Sequence, residues 1–68
     1  MKVNFKNGKA IIKNGKTIIA KIYNRNEFFK NTKYENTFKQ FPFSVEMSCG
    51  IAECKTLNEC LLLVEKYI

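Results

Sequence analysis

Sixty-eight residues with twelve Lys and Arg against six Glu, and with no Asp, His or Trp, describe one small basic domain of net charge +6. Forty-six per cent of the residues are hydrophobic and nine are Phe or Tyr, enough for one core, which excludes a disordered basic tail. The lack of His, of Asp and of a Gly-rich phosphate loop argues against an enzyme and against any metal or cofactor. The longest apolar run, Cys60 to Val64, is far too short to span a bilayer.

The tetrapeptide Lys-Asn-Gly-Lys occurs at 6–9 and again at 13–16. Asn-Gly between β-rich flanks predicts a tight hairpin turn, because both central residues of a type I′ turn need positive φ. Three strands follow, at 2–6, 9–13 and 16–23, forming a meander. With Asn7-Gly8 and Asn14-Gly15 as loops, Phe5 faces Ala10, Ile12 faces Thr17 and Ala10 faces Ile19. Alternation then places Val3, Phe5, Ala10, Ile12, Thr17, Ile19 and Tyr23 on a core face. The other face carries Lys2, Asn4, Lys6, Lys9, Lys13 and Lys16 around an apolar strip of Ile11, Ile18, Ala20 and Ile22.

Residues 24–40 show no clean period. Asn26 is placed to cap a helical turn from Glu27 to Lys30, anchored by Phe28 or Phe29. The remainder is an irregular connection, polar but studded with aromatics, of a length that is often functional. Beyond Pro42, alternation of Phe43, Val45 and Met47 predicts a fourth strand. Cys49-Gly50 forms a turn and Ile51–Lys55 a fifth strand, with Glu46 and Glu53 face to face as exposed hairpin charges.

Thr56-Leu57-Asn58-Glu59 matches a capping box and opens a helix reaching Tyr67. Its stripe is Leu57, Cys60, Leu61, Val64 and Ile68, widened by Leu63 and Tyr67. The expected fold is α+β: a five-stranded antiparallel sheet with one C-terminal helix on the face of Phe5, Ile12 and Ile19. Residues 1–68 form one domain, divided into a meander (1–23), a basic and aromatic connection (24–42), a hairpin (43–55) and a helix (56–67).

The odd set Cys49, Cys54 and Cys60 fits reduced, partly buried thiols, with a Cys49–Cys54 bridge as the alternative. Without an apolar leader at 1–7, a soluble cytoplasmic protein is expected.

Charge is separated along the chain. Residues 1–39 hold ten cations and only Glu27 and Glu35, whereas residues 40–68 hold Lys55 and Lys66 against four Glu. Such a field favours encounter with polyanions. On strand edges and turns, lysines also guard against aggregation and keep the chain soluble, so Lys2, Lys6, Lys9, Lys13 and Lys16 admit either reading. The connection is the sharper site. There Arg25, Lys30, Lys33 and Lys39 suit nucleic-acid backbone, while Asn31, Glu35, Asn36, Gln40 and Phe38 suit a protein or ribonucleoprotein partner. The chain is expected to be a monomer or a weak homodimer, without a membrane role.

A small Lys- and Asn-rich domain with an antiparallel sheet, one C-terminal helix and a basic aromatic loop resembles the small phage-encoded anti-CRISPR proteins. In size and layout it is most similar to inhibitors of the type I-F surveillance complex. The resemblance is one of architecture and spans the whole chain. It implies a non-enzymatic inhibitor in the host-cell cytoplasm that docks on a CRISPR ribonucleoprotein and blocks target DNA recognition. An autonomous nucleic-acid-binding module and a small antitoxin-like protein-interaction partner are the alternative readings.

Overall fold

The computed structural model describes residues 3–67, so the expectations for Lys2 and Ile68 lie outside the described residues. Six elements follow one another: β1 (Lys9–Asn14), β2 (Thr17–Asn24), α1 (Arg25–Phe28), β3 (Phe43–Met47), β4 (Gly50–Cys54) and α2 (Leu57–Lys66). The strands form one antiparallel sheet in the order β1-β2-β3-β4. The α+β class and the C-terminal helix are as expected, but the sheet has four strands rather than five. The expected first strand is reduced to a single bridge between Lys6 and Lys9. Val3 and Phe5 leave the sheet edge and pack against the core instead, with the Phe5 ring 6.4 Å from that of Phe43.

The first turn forms as read: Asn7 (φ 56°) and Gly8 (φ 79°) both lie in the left-handed region. Gly8 is also buried, and a Cβ there would sit 2.5 Å from the Phe28 backbone nitrogen. Only glycine lets the turn approach α1 so closely. The second turn departs from expectation. Asn14 pairs with Thr17, so its loop is Gly15-Lys16, with positive φ at Gly15 alone (64°), the type II′ pattern.

A bulge follows. Lys13 pairs with Ile18 but Ile12 with Ala20, so Ile19 is an extra residue. That residue inverts the alternation beyond it. Ala20 and Ile22, assigned above to the outer face, are buried, and Tyr23, assigned to the core face, lies on the opposite one; Thr17, which precedes the bulge, keeps the face of Asn14 and Ile12 but is exposed. Ile19 keeps a partial place against the core. Of the expected outer apolar strip, Ile11 and Ile18 are exposed and Ile22 is not.

Two cross-sheet rows summarise the result. Ala10, Ile22, Val45 and Ala52 are aligned on one face, and Ile11, Lys21, Glu46 and Ile51 on the other. The helix α2 packs against β3 and β4 on the first face. Ile22, Val45, Val64, Cys54 and Cys60 are fully buried there. Burial of each large aliphatic contributes about 1.5–3 kcal/mol.

The cap of α2 is nearly as predicted. The Thr56 hydroxyl accepts the Glu59 N–H at 3.2 Å. The Glu59 carboxylate accepts the N–H of Lys55 at 2.9 Å, one residue earlier than the reciprocal partner. Tyr67 follows the helix as its C-cap and is exposed, not part of the buried stripe.

The β3–β4 turn is Ser48-Cys49, because Met47 pairs with Gly50. Glu46 therefore faces Ile51, and Glu53 faces Ser44, so the two carboxylates are not opposed. All three cysteines are free: Cys49 exposed, Cys54 and Cys60 buried. Burial pushes the Cys60 thiol well above its ordinary range, and its hydrogen bond with Cys54 adds to this.

Candidate functional site

The connection after β2 is held by its own turns and one clamp. Its helical turn is α1, starting at Arg25 with Asn24 as N-cap, two residues before the predicted start. Phe29 accepts the N–H of Thr32 at 3.1 Å, Thr32 accepts that of Glu35 at 3.1 Å, and Tyr34 accepts that of Thr37 at 3.2 Å. The Glu35 carboxylate accepts the Asn31 N–H at 3.2 Å. Asn31 (φ 65°) and Asn36 (φ 64°) occupy the left-handed region that asparagine tolerates better than other side chains. Together with Asn7, they give three of the chain's eight asparagines a backbone reason.

Aromatic rings give this segment a small core of its own. Tyr23 meets Phe28 at 5.3 Å, Phe28 meets Phe29 at 5.0 Å, and Phe29 meets both Tyr34 (5.7 Å) and Phe38 (5.2 Å). Arg25 closes the far end. Its guanidinium lies 4.1 Å from the Phe38 ring centre, donates to the Phe41 carbonyl at 2.6 Å and pairs with Glu53 at 3.4 Å. The Arg25 N–H also donates to the Pro42 carbonyl at 2.7 Å. The cluster sits over the Lys9–Tyr23–Ser44–Glu53 row, on the sheet face opposite α2, and Ser44 is buried within that row.

The predicted site residues thus divide. Lys30, Lys33 and Lys39 are exposed, as are Asn31, Glu35, Asn36 and Gln40. Arg25 and Phe38 are turned inward: the cation expected to meet a phosphate is a clamp, and the ring expected to meet a partner is half-buried beneath it. Arg25, Phe38, Lys39 and Gln40 do converge, lining a shallow cleft of about 360 Å³ with Thr37, Phe41 and Glu53. Asn31, Glu35 and Asn36 do not line it.

Two rings that the sequence places in the connection, Tyr34 beside Phe38 as a loop aromatic and Phe28 as an anchor of the helical turn, are at its surface. Phe28 (42%) and Tyr34 (47%) are the exposed rings of the cluster. Lys9 reaches the Tyr23 ring at 5.7 Å, and Lys33 the Tyr34 ring at 5.1 Å. A continuous path, Lys9–Tyr23–Phe28–Phe29–Tyr34–Lys33, therefore joins the lysines of β1 to those of the loop. Alternation along β2 pointed Tyr23 the wrong way, so this junction was hidden from sequence. Among the described residues the one salt bridge is Arg25–Glu53, which leaves Lys6, Lys9, Lys13, Lys16, Lys30, Lys33 and Lys39 without a carboxylate in salt-bridge contact. No helix among the described residues is long and apolar enough to cross a membrane.

Comparison with protein-family models, curated proteins and solved structures gives no match.

Proposed function

We propose that the protein acts by binding, not by catalysis, and that it recognises a nucleic-acid strand, either free or displayed on a ribonucleoprotein. A CRISPR surveillance complex whose target DNA recognition is blocked is the specific form of partner suggested by the architectural resemblance. The observation that carries the reading is the pair of exposed rings, Phe28 and Tyr34, set between lysines of β1 and of the loop. Cations follow a phosphate backbone, and aromatic faces stack bases with little regard to sequence. Lys39 and Gln40, which line the cleft at Arg25, offer a further cation and amide to the same strand. A protein held this way on a nucleoprotein occupies the path of an incoming strand.

The test is a titration of fluorescent single-stranded DNA and RNA at several salt concentrations. Affinity should fall with salt, at a log–log slope of about −0.7 per phosphate contacted. Charge reversal at Lys30 and Lys33 together should reduce both the affinity and the slope while the fold is retained. Unchanged binding in that folded variant removes the loop from the reading. Capture of partners from host lysate, with and without nuclease, separates a free strand from a nucleoprotein. A nuclease-resistant partner that contains no nucleic acid and is released by the Lys30 and Lys33 charge reversal refutes the proposal, whereas one that this variant still captures does not bear on the loop.

A further inference from the structure

The outer edge of β1 is open. A paired first strand would have covered it, but among the described residues only Lys6 engages it, exchanging backbone bonds with Lys9 at 2.9 and 3.1 Å. Val3 and Phe5 then turn away to the core. In an antiparallel ladder, alternate residues point their N–H and C=O groups to opposite sides of the strand. Lys9 turns its pair outward to Lys6, so Ile11 and Lys13 do the same. Gly8 confirms the phase from the other side, accepting the Asn24 N–H of β2 at 2.7 Å. Among the described residues no strand pairs with that edge beyond Lys9.

We propose that the outer edge of β1, from Ile11 to Asn14, is a docking site for an extended acidic segment of a partner protein. This goes beyond strand recognition by the loop and does not depend on it. Added strands gain affinity from backbone bonds and specificity from alternate side chains. Ile11, 47% exposed, lies between Lys9 and Lys13 on the open face and offers a place for one apolar side chain. Lys13 offers a partner for a carboxylate two residues along, and opposite charges across a ladder are favourable. Lys6, Lys9 and Lys16, all at or beside this edge, supply further positive field. The same lysines disfavour the obvious competitor. A second copy pairing β1 with β1 brings two rows of ammonium groups together, so the edge rejects its own kind and admits an acidic strand.

The probe is a short synthetic peptide alternating Glu and Val, titrated into the isotopically labelled full chain. The amides of Ile11 and Lys13 should become protected from hydrogen exchange, while a matching Lys and Val peptide produces no protection. Ile11→Pro removes one outward N–H, which an edge strand tolerates. It should weaken the acidic peptide about tenfold, the size of a lost backbone bond. Lys13→Glu, which leaves the backbone intact, should weaken the acidic peptide and narrow the preference between the two peptides. Absence of binding overturns the proposal. So does binding without protection of these two amides, or binding that Lys13→Glu leaves unchanged.

Discussion

The two Lys-Asn-Gly-Lys segments are identical in sequence and differ in structure. At 6–9 the loop is Asn7-Gly8, both residues are left-handed, and the glycine is pressed against α1. At 13–16 the loop has moved one residue on to Gly15-Lys16, Asn14 sits in the ladder, and the glycine faces open space. Local preference was the same in both places, so the surroundings made the choice. At the first turn, contact with Phe28 and Asn24 rewards the closest approach. At the second, an Asn14-Gly15 loop without a bulge would place Lys21 on the core face and Ile22 in water. The Gly15-Lys16 turn alone does not cure this, since moving it one residue along each strand preserves parity. The extra residue Ile19 does, and it puts Ile22 at the centre of the core.

Three pairs of variants break or sharpen this contrast, each read by urea denaturation. The largest effect is expected at Gly8. Gly8→Ala should cost about 2–5 kcal/mol, combining left-handed strain with overlap onto α1 backbone, whereas Gly15→Ala should cost only the strain, about 1–2 kcal/mol. Equal losses would show that the first turn does not bear on α1. Next comes the inverted face of β2. Ile22→Ala should cost about 3 kcal/mol and Lys21→Ile less than about 0.5 kcal/mol. The opposite order would restore the unbulged register. The smallest difference is at the asparagines: Asn7→Ala should cost about 1 kcal/mol, and Asn14→Ala, with no left-handed backbone to relieve, less than about 0.5 kcal/mol.

Elements whose signals were local were legible in the chain. The capping box at Thr56, the stripe through Cys60 and Val64, the alternation of β3 and the first hairpin turn all came from neighbouring residues. Elements decided at long range were not. Nothing near Val3 and Phe5 announces that they will leave the sheet for the core, Phe5 beside Phe43. Nothing near Arg25 shows that Glu53 and the Phe41 carbonyl will claim it, so a clamp was read as a free cation. One clue was available: the regular register placed Lys21 among core residues, a cost that should have favoured a bulge. Lys30, Lys33, Lys39 and Tyr34 are exposed, as the polar character of the connection implies, but neighbouring residues do not show which of Phe28 and Phe38 is the inner ring. Phe38 supports the loop from beneath, and Phe28 and Tyr34 stand at its surface.

The uneven placement of the thiols gives the molecule a built-in reporter position. Cys49 lies at the end of the sheet remote from the aromatic loop and is open to solvent, while Cys54 and Cys60 are enclosed and Cys60 is held in its unreactive form. A maleimide fluorophore should therefore attach once per native chain without any engineered substitution. Labelling of the remaining two would time the opening of the interior.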